Sequence, residues 1–244
     1  HAIIGASDIL MTSHAISARN RAMISYVRGA GNDHLEKIDQ LLLYSKMDVG
    51  RLELEEHAYS MEQPITDLMH MHLSNLHGHD VGCRARFATP IPQTVIGDEE
   101  HVREILQNVI SNAVKFTKSG QIDLTLSCQD LEDDRVRFCC LIEDTGAGMT
   151  EEQMAHMFES YRTYTVDGQE GTGLGMTIVK DLCKLMQGDC KVESQQGKGT
   201  REEVTFCHRK ADEGKIQPGE INHFTLVDRI VNYTDDVCPA YFST

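Results

Sequence analysis

The sequence predicts an α+β protein in two parts: a helical hairpin, then an α/β sandwich with a mixed, largely antiparallel sheet. Three observations carry that expectation. From Ala2 to Glu56 there is no proline, and apolar residues recur at helical spacing. Beyond that point helical stretches alternate with period-two runs such as "QIDLTLSC" and "RVRFCCLIED". Finally, two glycine clusters, "EDTGAGM" and "GTGLGM", sit where a strand should end and a helix should begin.

The hairpin is assigned to residues 1–57. Its apolar positions fall in groups: Ile3, Ile4, Ile9 and Leu10, then Met23, Ile24 and Val27, then Leu35, Ile38, Leu41 and Leu42. The break belongs in "MTSHAISARN", and the second helix runs through "LEKIDQLLLYSKMD" until Gly50 offers a stop. Two antiparallel helices leave a wide apolar stripe, which a dimeric four-helix bundle would cover.

The second domain is assigned to residues 58–210. It opens with a helix at "PITDLMHMHL", a strand at "GCRARFA" and a proline-punctuated loop at "TPIPQTVIG". A helix comes next at "EEHVREILQNVISNAVKF", then the two period-two strands and a short helix at "EEQMAHMF". A polar stretch reaches Gly171, succeeded by a helix at "TIVKDLCKLM" and strands at "CKVESQ" and "EEVTFC". Residues 211–244 read as a linker or extension holding one short apolar segment, "FTLVDRIV".

Composition narrows the function. The 244 residues carry a formal net charge of −15, which argues against a nucleic-acid partner, because such binding rests on basic residues that neutralise phosphates. No apolar run is long enough to span a bilayer, and the basic-then-apolar layout of a signal peptide is absent. The expected location of this segment is therefore cytoplasmic, with a membrane anchor elsewhere in a longer parent left open. The eight cysteines form no CxxC pair or His/Cys ligand spacing, so buried, reduced thiols are expected.

Three stretches carry chemistry. In "EILQNVISNAVKF", helical spacing puts Glu104, Asn108, Asn112 and Lys115 on one face, with Ile105, Leu106, Val109 and Ile110 turned to the core. Asparagine is unfavourable inside a helix, so two of them a turn apart ask for a reason. An Asn carbonyl beside triphosphate oxygens suits a hydrated Mg²⁺, Lys115 can neutralise phosphate charge, and Glu104 is either a base or simply solvated. In "EDTGAGM", Asp144 can accept from an exocyclic amine while Gly146 and Gly148 let a flat ring approach the backbone; an ordinary turn reads equally well. In "GTGLGM", glycine N–H groups and a helix N-terminus can close on phosphate, although such a run alone is weak evidence.

Taken together and in this order, the stretches resemble the nucleotide-binding domain of sensor histidine kinases, in the superfamily of gyrase B, the heat-shock chaperone ATPases and MutL. "NVISNAVKFT" is similar to the family's N box, "DTGAGM" to its first glycine box, "FESY" at Phe158 to Tyr161 to its F box and "GTGLGM" to its second glycine box. The third glycine element is matched at the end of "VESQQGKGT", and "LEKIDQLLLYSKMDVGRLELE" resembles the second helix of the dimerisation and phosphotransfer domain. The resemblance covers residues 1 to 208.

What it implies is ATP held on the sandwich, with Asp144, Gly146 and Gly148 at adenine and Asn108 carrying Mg²⁺. Asn112, Lys115, Gly171, Thr172, Gly173, Leu174, Gly175, Met176 and Thr200 would complete the nucleotide site. A mobile lid would span about Phe158 to Gly175 and be the least ordered part of the domain. A homodimer through the N-terminal helices and a response-regulator receiver domain are the implied partners.

Two departures matter. Histidine kinases commonly carry Gln where this chain has Glu104, and the hydrolysing relatives carry Glu. A superfamily ATPase, a non-histidine protein kinase using Glu104, or a nucleotide-gated dimerisation module are therefore the alternatives. Secondly, "HAIIG" resembles the stretch just after the phosphoacceptor motif HExRTPL, which puts the phosphorylated histidine upstream of His1. His14, in "SHAISARN", lacks the motif's proline and acidic neighbour and stands too close to Ser45 in "YSKMD". No phosphoacceptor is expected within the chain.

Overall fold

In the computed structural model of the chain, the described residues are 2–12, 16–73, 80–162, 172–211 and 214–216. They form two compact units, His1–Leu52 and Glu53–Thr244.

The first unit is a pair of helices, α1 (Ala2–Met11) and α2 (Ala18–Asp48). Ser17 caps α2 by accepting from the Asn20 amide at 3.2 Å. The helices run antiparallel: the Arg21 guanidinium donates to the Met11 carbonyl at 2.8 Å, Arg28 meets Asp8 at 3.4 Å, and Ile4 packs on Gly31. A Cβ on Gly31 would lie 3.2 Å from Ile4, so glycine permits the close approach. The stop falls where it was expected, with Gly50 in the left-handed region at φ +65°. Met23, Tyr26, Val27, Ile38, Leu41 and Leu42 remain exposed along α2.

The second unit is an α+β fold built on a mixed sheet. Its strands are β1 (His57–Tyr59), β2 (Asp80–Phe87), β4 (Val95–Gly97), β5 (Ser119–Asp130), β6 (Arg135–Asp144), β7 (Cys190–Gln195) and β8 (Gly199–Lys210). The order is β1-β4-β8-β6-β5-β2, with β7 on the N-terminal part of β8 and β4 on its C-terminal end. Every pairing is antiparallel except β2 with β5. A separate ribbon joins β3 (Ile91–Pro92) to β9 (Lys215–Ile216).

Alternation sets the core. On β6, Val136, Phe138, Cys140 and Ile142 are buried, and on β8 Val204 and Phe206 are, with the Phe138 and Phe206 rings stacked at 5.6 Å. The helices α3 (Glu62–Leu73), α4 (Glu99–Phe116), α5 (Glu151–His156) and α6 (Gly175–Leu185) include the apolar partners Ile65, Ile105, Leu106, Val109, Ile178 and Leu182, all fully buried. Asp98 caps α4, accepting from the His101 amide and ring and from the Glu55 amide. Burial alone would raise the Asp98 carboxyl, but these hydrogen bonds hold it below the usual carboxylate range.

Some elements differ from expectation. "TPIPQTVIG" is not all loop: Ile91–Pro92 and Val95–Gly97 each find a partner strand distant in sequence. The helix expected through Phe158 ends at His156, and β8 extends beyond "EEVTFC" at both ends. Of the cysteines, Cys140, Cys183 and Cys190 are buried, but Cys83, Cys128, Cys139 and Cys207 are only half-buried; all seven are reduced. Cys238, His1, His14, Gly171 and "FTLVDRIV" lie outside the described residues, as does the middle of the expected lid.

Candidate functional site

The α4 stripe is the organising element. Asn108 is buried at 6% exposure, unlike a solvated helix face. Its Nδ2 donates to the backbone carbonyl and to Oε1 of Glu104, both at 2.9 Å. That fixes which end of the amide is which: the nitrogen serves Glu104, and Oδ1 lies against the start of α6. A Cβ placed on Gly175 would come within 2.4 Å of Asn108 Oδ1. One turn on, the Asn112 amide donates to Met176 Sδ at 3.4 Å. Lys115, in the last turn, sits over the Phe116 ring at 5.2 Å.

The second glycine cluster therefore meets the stripe. Thr172 Oγ1 accepts from the Leu174 amide at 3.2 Å, and Gly173, at φ +69°, holds its carbonyl to the Tyr161 amide at 3.0 Å. A Cβ there would strike Arg162 backbone within 2.8 Å, which only glycine avoids. Leu174, the N-cap of α6, makes no side-chain capping hydrogen bond. The F-box segment is pinned alongside, with Lys180 over the Phe158 ring at 4.2 Å and Thr177 Oγ1 donating to the Phe158 carbonyl at 3.1 Å.

Asp144 ends β6. Its Oδ1 accepts from the Gly146 amide at 2.8 Å, and Ala147 donates to the Phe116 carbonyl at 3.1 Å, tying the first glycine cluster to the end of α4. A Cβ on Gly146 would meet Phe116 O, Thr117 Oγ1 and Asp144 Oδ1, all within 3 Å. Gly148, at φ +60°, faces the Gln195 carbonyl. Burial pushes the Asp144 carboxyl up, and the N–H groups of Gly146 and Thr200, with the nearby Thr117 hydroxyl, act against that push.

Sequence reasoning missed three members of this group. Ser194 on β7 accepts from the Met149 amide at 2.9 Å, donates to Gly199 O at 3.0 Å and meets Thr200 Oγ1 at 3.0 Å. Thr117 Oγ1 is buried close to Asp144, yet makes no well-formed hydrogen bond among the described residues. Glu202 on β8 is buried at 7% exposure, and its Oε2 likewise has no partner among them. Strand alternation would have put Ser194 and Glu202 on the inner face; nothing local marks Thr117.

The residues present fit both a base and a metal. A flat base has a carboxylate acceptor at Asp144, an unsatisfied hydroxyl at Thr117 and a backbone at Gly146 too crowded for any Cβ. For a metal, the described residues contain no group of three or more His, Cys, Asp or Glu able to hold one. A hydrated Mg²⁺, which takes few protein ligands, would have the Asn108 amide oxygen.

Gly175→Ala should push Asn108 off its position without harming the fold, since the clash is with a side-chain end. Displacements near 1 Å can cost up to about a hundredfold in rate, and we expect Mg²⁺-nucleotide binding to fall about tenfold by calorimetry while thermal unfolding stays unchanged.

Comparison with known proteins places this arrangement. Residues 97–211 match the family described as Histidine kinase-, DNA gyrase B-, and HSP90-like ATPase. The chain is 30% identical over 209 residues to hybrid signal transduction histidine kinase A of Dictyostelium discoideum, covering 82% of this chain and 10% of that protein. It is 26% identical over 201 residues to the signal transduction histidine-protein kinase BarA of Escherichia coli, covering 81% and 22%. The crystal structure of full-length ShkA in complex with AMPPNP aligns with a TM-score of 0.64 at 25% identity, over 86% of this chain and 43% of that one. The chain thus spans a small part of the curated relatives it matches. No helix among the described residues is long and apolar enough to cross a membrane. Residues 97–211 thus match the histidine kinase-, DNA gyrase B- and HSP90-like ATPase family, and over most of its length the chain is similar to parts of longer histidine kinases.

Proposed function

We propose that this chain is the ATP-dependent kinase portion of a two-component sensor, moving the γ-phosphoryl group of ATP to a histidine and then to a response-regulator aspartate. The observation that carries the reading is the orientation of Asn108, whose nitrogen is engaged by Glu104 while its oxygen faces the glycine-rich start of α6.

Asp144 accepts from the exocyclic amine of adenine, with Gly146 and Gly148 at the ring and Thr117 and Thr200 completing the polar edge. Asn112, Lys115 and the backbone from Thr172 to Met176 hold the phosphates, the amides of the latter opening α6. Mg²⁺, when bound, neutralises charge on the triphosphate oxygens, and Asn108 Oδ1 would hold it. Lys115 stabilises charge on the transferring group. Glu104 has a defined role: it fixes the amide of Asn108. A neutral imidazole needs no strong base near pH 7, so an orienting Glu104 suffices for histidine transfer.

The exposed apolar side chains of α2 support dimerisation into a four-helix bundle, and residues 1–57, 58–210 and 211–244 serve as phosphotransfer hairpin, catalytic domain and extension. The phosphoacceptor belongs to the HExRTPL-type motif rather than to His14. The reading puts this segment in the cytoplasm, where ATP is supplied. AMPPNP is the ligand of the ShkA structure, and it is the natural probe here. Titration calorimetry with AMPPNP and Mg²⁺ should give a saturable one-to-one isotherm; no binding at millimolar nucleotide would overturn the reading.

A further inference from the structure

Glu202 is a buried carboxyl to which the nucleotide reading gives no task, and any task for it beside the base rests on that reading. On β8, Thr200, Glu202, Val204 and Phe206 share the helix-facing side of the sheet, and Val204 and Phe206 are fully buried. The ladder sets Glu202 opposite Ile142 on β6 and Val192 on β7. The adjacent same-face rung is Asp144, Thr200 and Ser194. Glu202 is therefore the diagonal neighbour of Asp144, a separation of about 7–8 Å between strands. It lies directly behind the row assigned to the base. Its Oε2 has no partner among the described residues.

An ionised carboxyl in such a place, without a cation, is strongly disfavoured. The charged and titratable groups around it are Asp144 on β6 and Cys190 on β7, the latter faced in turn by Cys183 and Lys180 of α6 and by Asp189. Burial first, and the Asp144 charge second, push the Glu202 carboxyl up to about 8. Two carboxylates one rung apart in a dry site resist ionising together.

We propose that Glu202 is a positioning residue of the base pocket, whose retained proton allows Asp144 to meet the base as a carboxylate. Loss of that proton sets two carboxylates one rung apart in a pocket that the bound base closes to water, so binding of the base favours the protonated form of Glu202. Nucleotide affinity then declines on the alkaline side for a reason that lies outside the phosphate contacts.

The test is the Kd for Mg²⁺-AMPPNP between pH 6.5 and 9.5, for the wild type and Glu202→Gln, with thermal unfolding recorded at each pH. Near pH 9 about a tenth of a group titrating at about 8 keeps its proton, so wild-type affinity should fall about tenfold from pH 7. Glu202→Gln, with a neutral amide of similar shape that cannot titrate, should lose this pH dependence and give a flat profile. Glu202→Leu, which cannot titrate either, replaces it if the amide variant does not fold. Parallel pH profiles for wild type and variant overturn the proposal alone. Absence of binding by the wild type at every pH overturns the nucleotide reading and the proposal with it.

Discussion

Asp144→Asn should weaken ATP-analogue binding about a hundredfold, the scale expected when a charged hydrogen-bond acceptor is lost from a desolvated site. The carboxylate accepts from Gly146 N–H at 2.8 Å on one side and, in our reading, from the adenine amine on the other. An amide can present only one oxygen, and its NH₂ group repels whichever donor it meets. The loss should be specific for the base. Discrimination between ATP and GTP analogues should collapse in calorimetry, while the fold stays intact, because burial already disfavours the Asp144 charge. Unchanged ATP affinity in this variant would remove Asp144 from the site.

Asn108→Ala should lower phosphoryl transfer about a hundredfold or more, by deleting the side-chain oxygen that we assign to Mg²⁺. Affinity for nucleotide in EDTA should change little, and the gain on adding Mg²⁺ should vanish. Glu104→Gln supplies the contrast. A glutamine oxygen can still accept from Asn108 Nδ2, as Glu104 Oε1 does at 2.9 Å, so an orienting Glu104 predicts transfer within a few-fold of wild type. A proton-accepting Glu104 predicts loss by about 10²-fold or more, and that outcome would revive the hydrolase or non-histidine kinase reading. Initial rates with labelled ATP distinguish the two.

Much of this was legible in the sequence because it is periodic. The buried side of α4, with Ile105, Leu106, Val109 and Ile110, comes from the same spacing that lines up Glu104, Asn108, Asn112 and Lys115. The alternation of "RVRFCCLIED" marks β6 from end to end. Short elements without a full period were not legible: β1, β3 and β9 span two or three residues and exist through partners remote in sequence. Ser194 escaped for a related reason, since its bonds to Met149, Gly199 and Thr200 appear only once three segments converge. Glu202 was within reach, as a carboxyl on the buried phase of a strand, yet its meaning depends on the register that puts it behind Asp144. The orientation of the Asn108 amide is the case in which structure added most. Spacing put the residue on a face, and only the Glu104 contacts say which atom is presented.

The most direct measurement is phosphorylation with γ-labelled ATP and Mg²⁺, of this chain and of a version extended upstream through the HExRTPL-type motif, scoring acid-labile label and free phosphate together. Acid-labile label on the extended form and none on the present chain is the predicted result. Free phosphate without label on either form would contradict the histidine kinase account, and label on the present chain would return His14 as the acceptor.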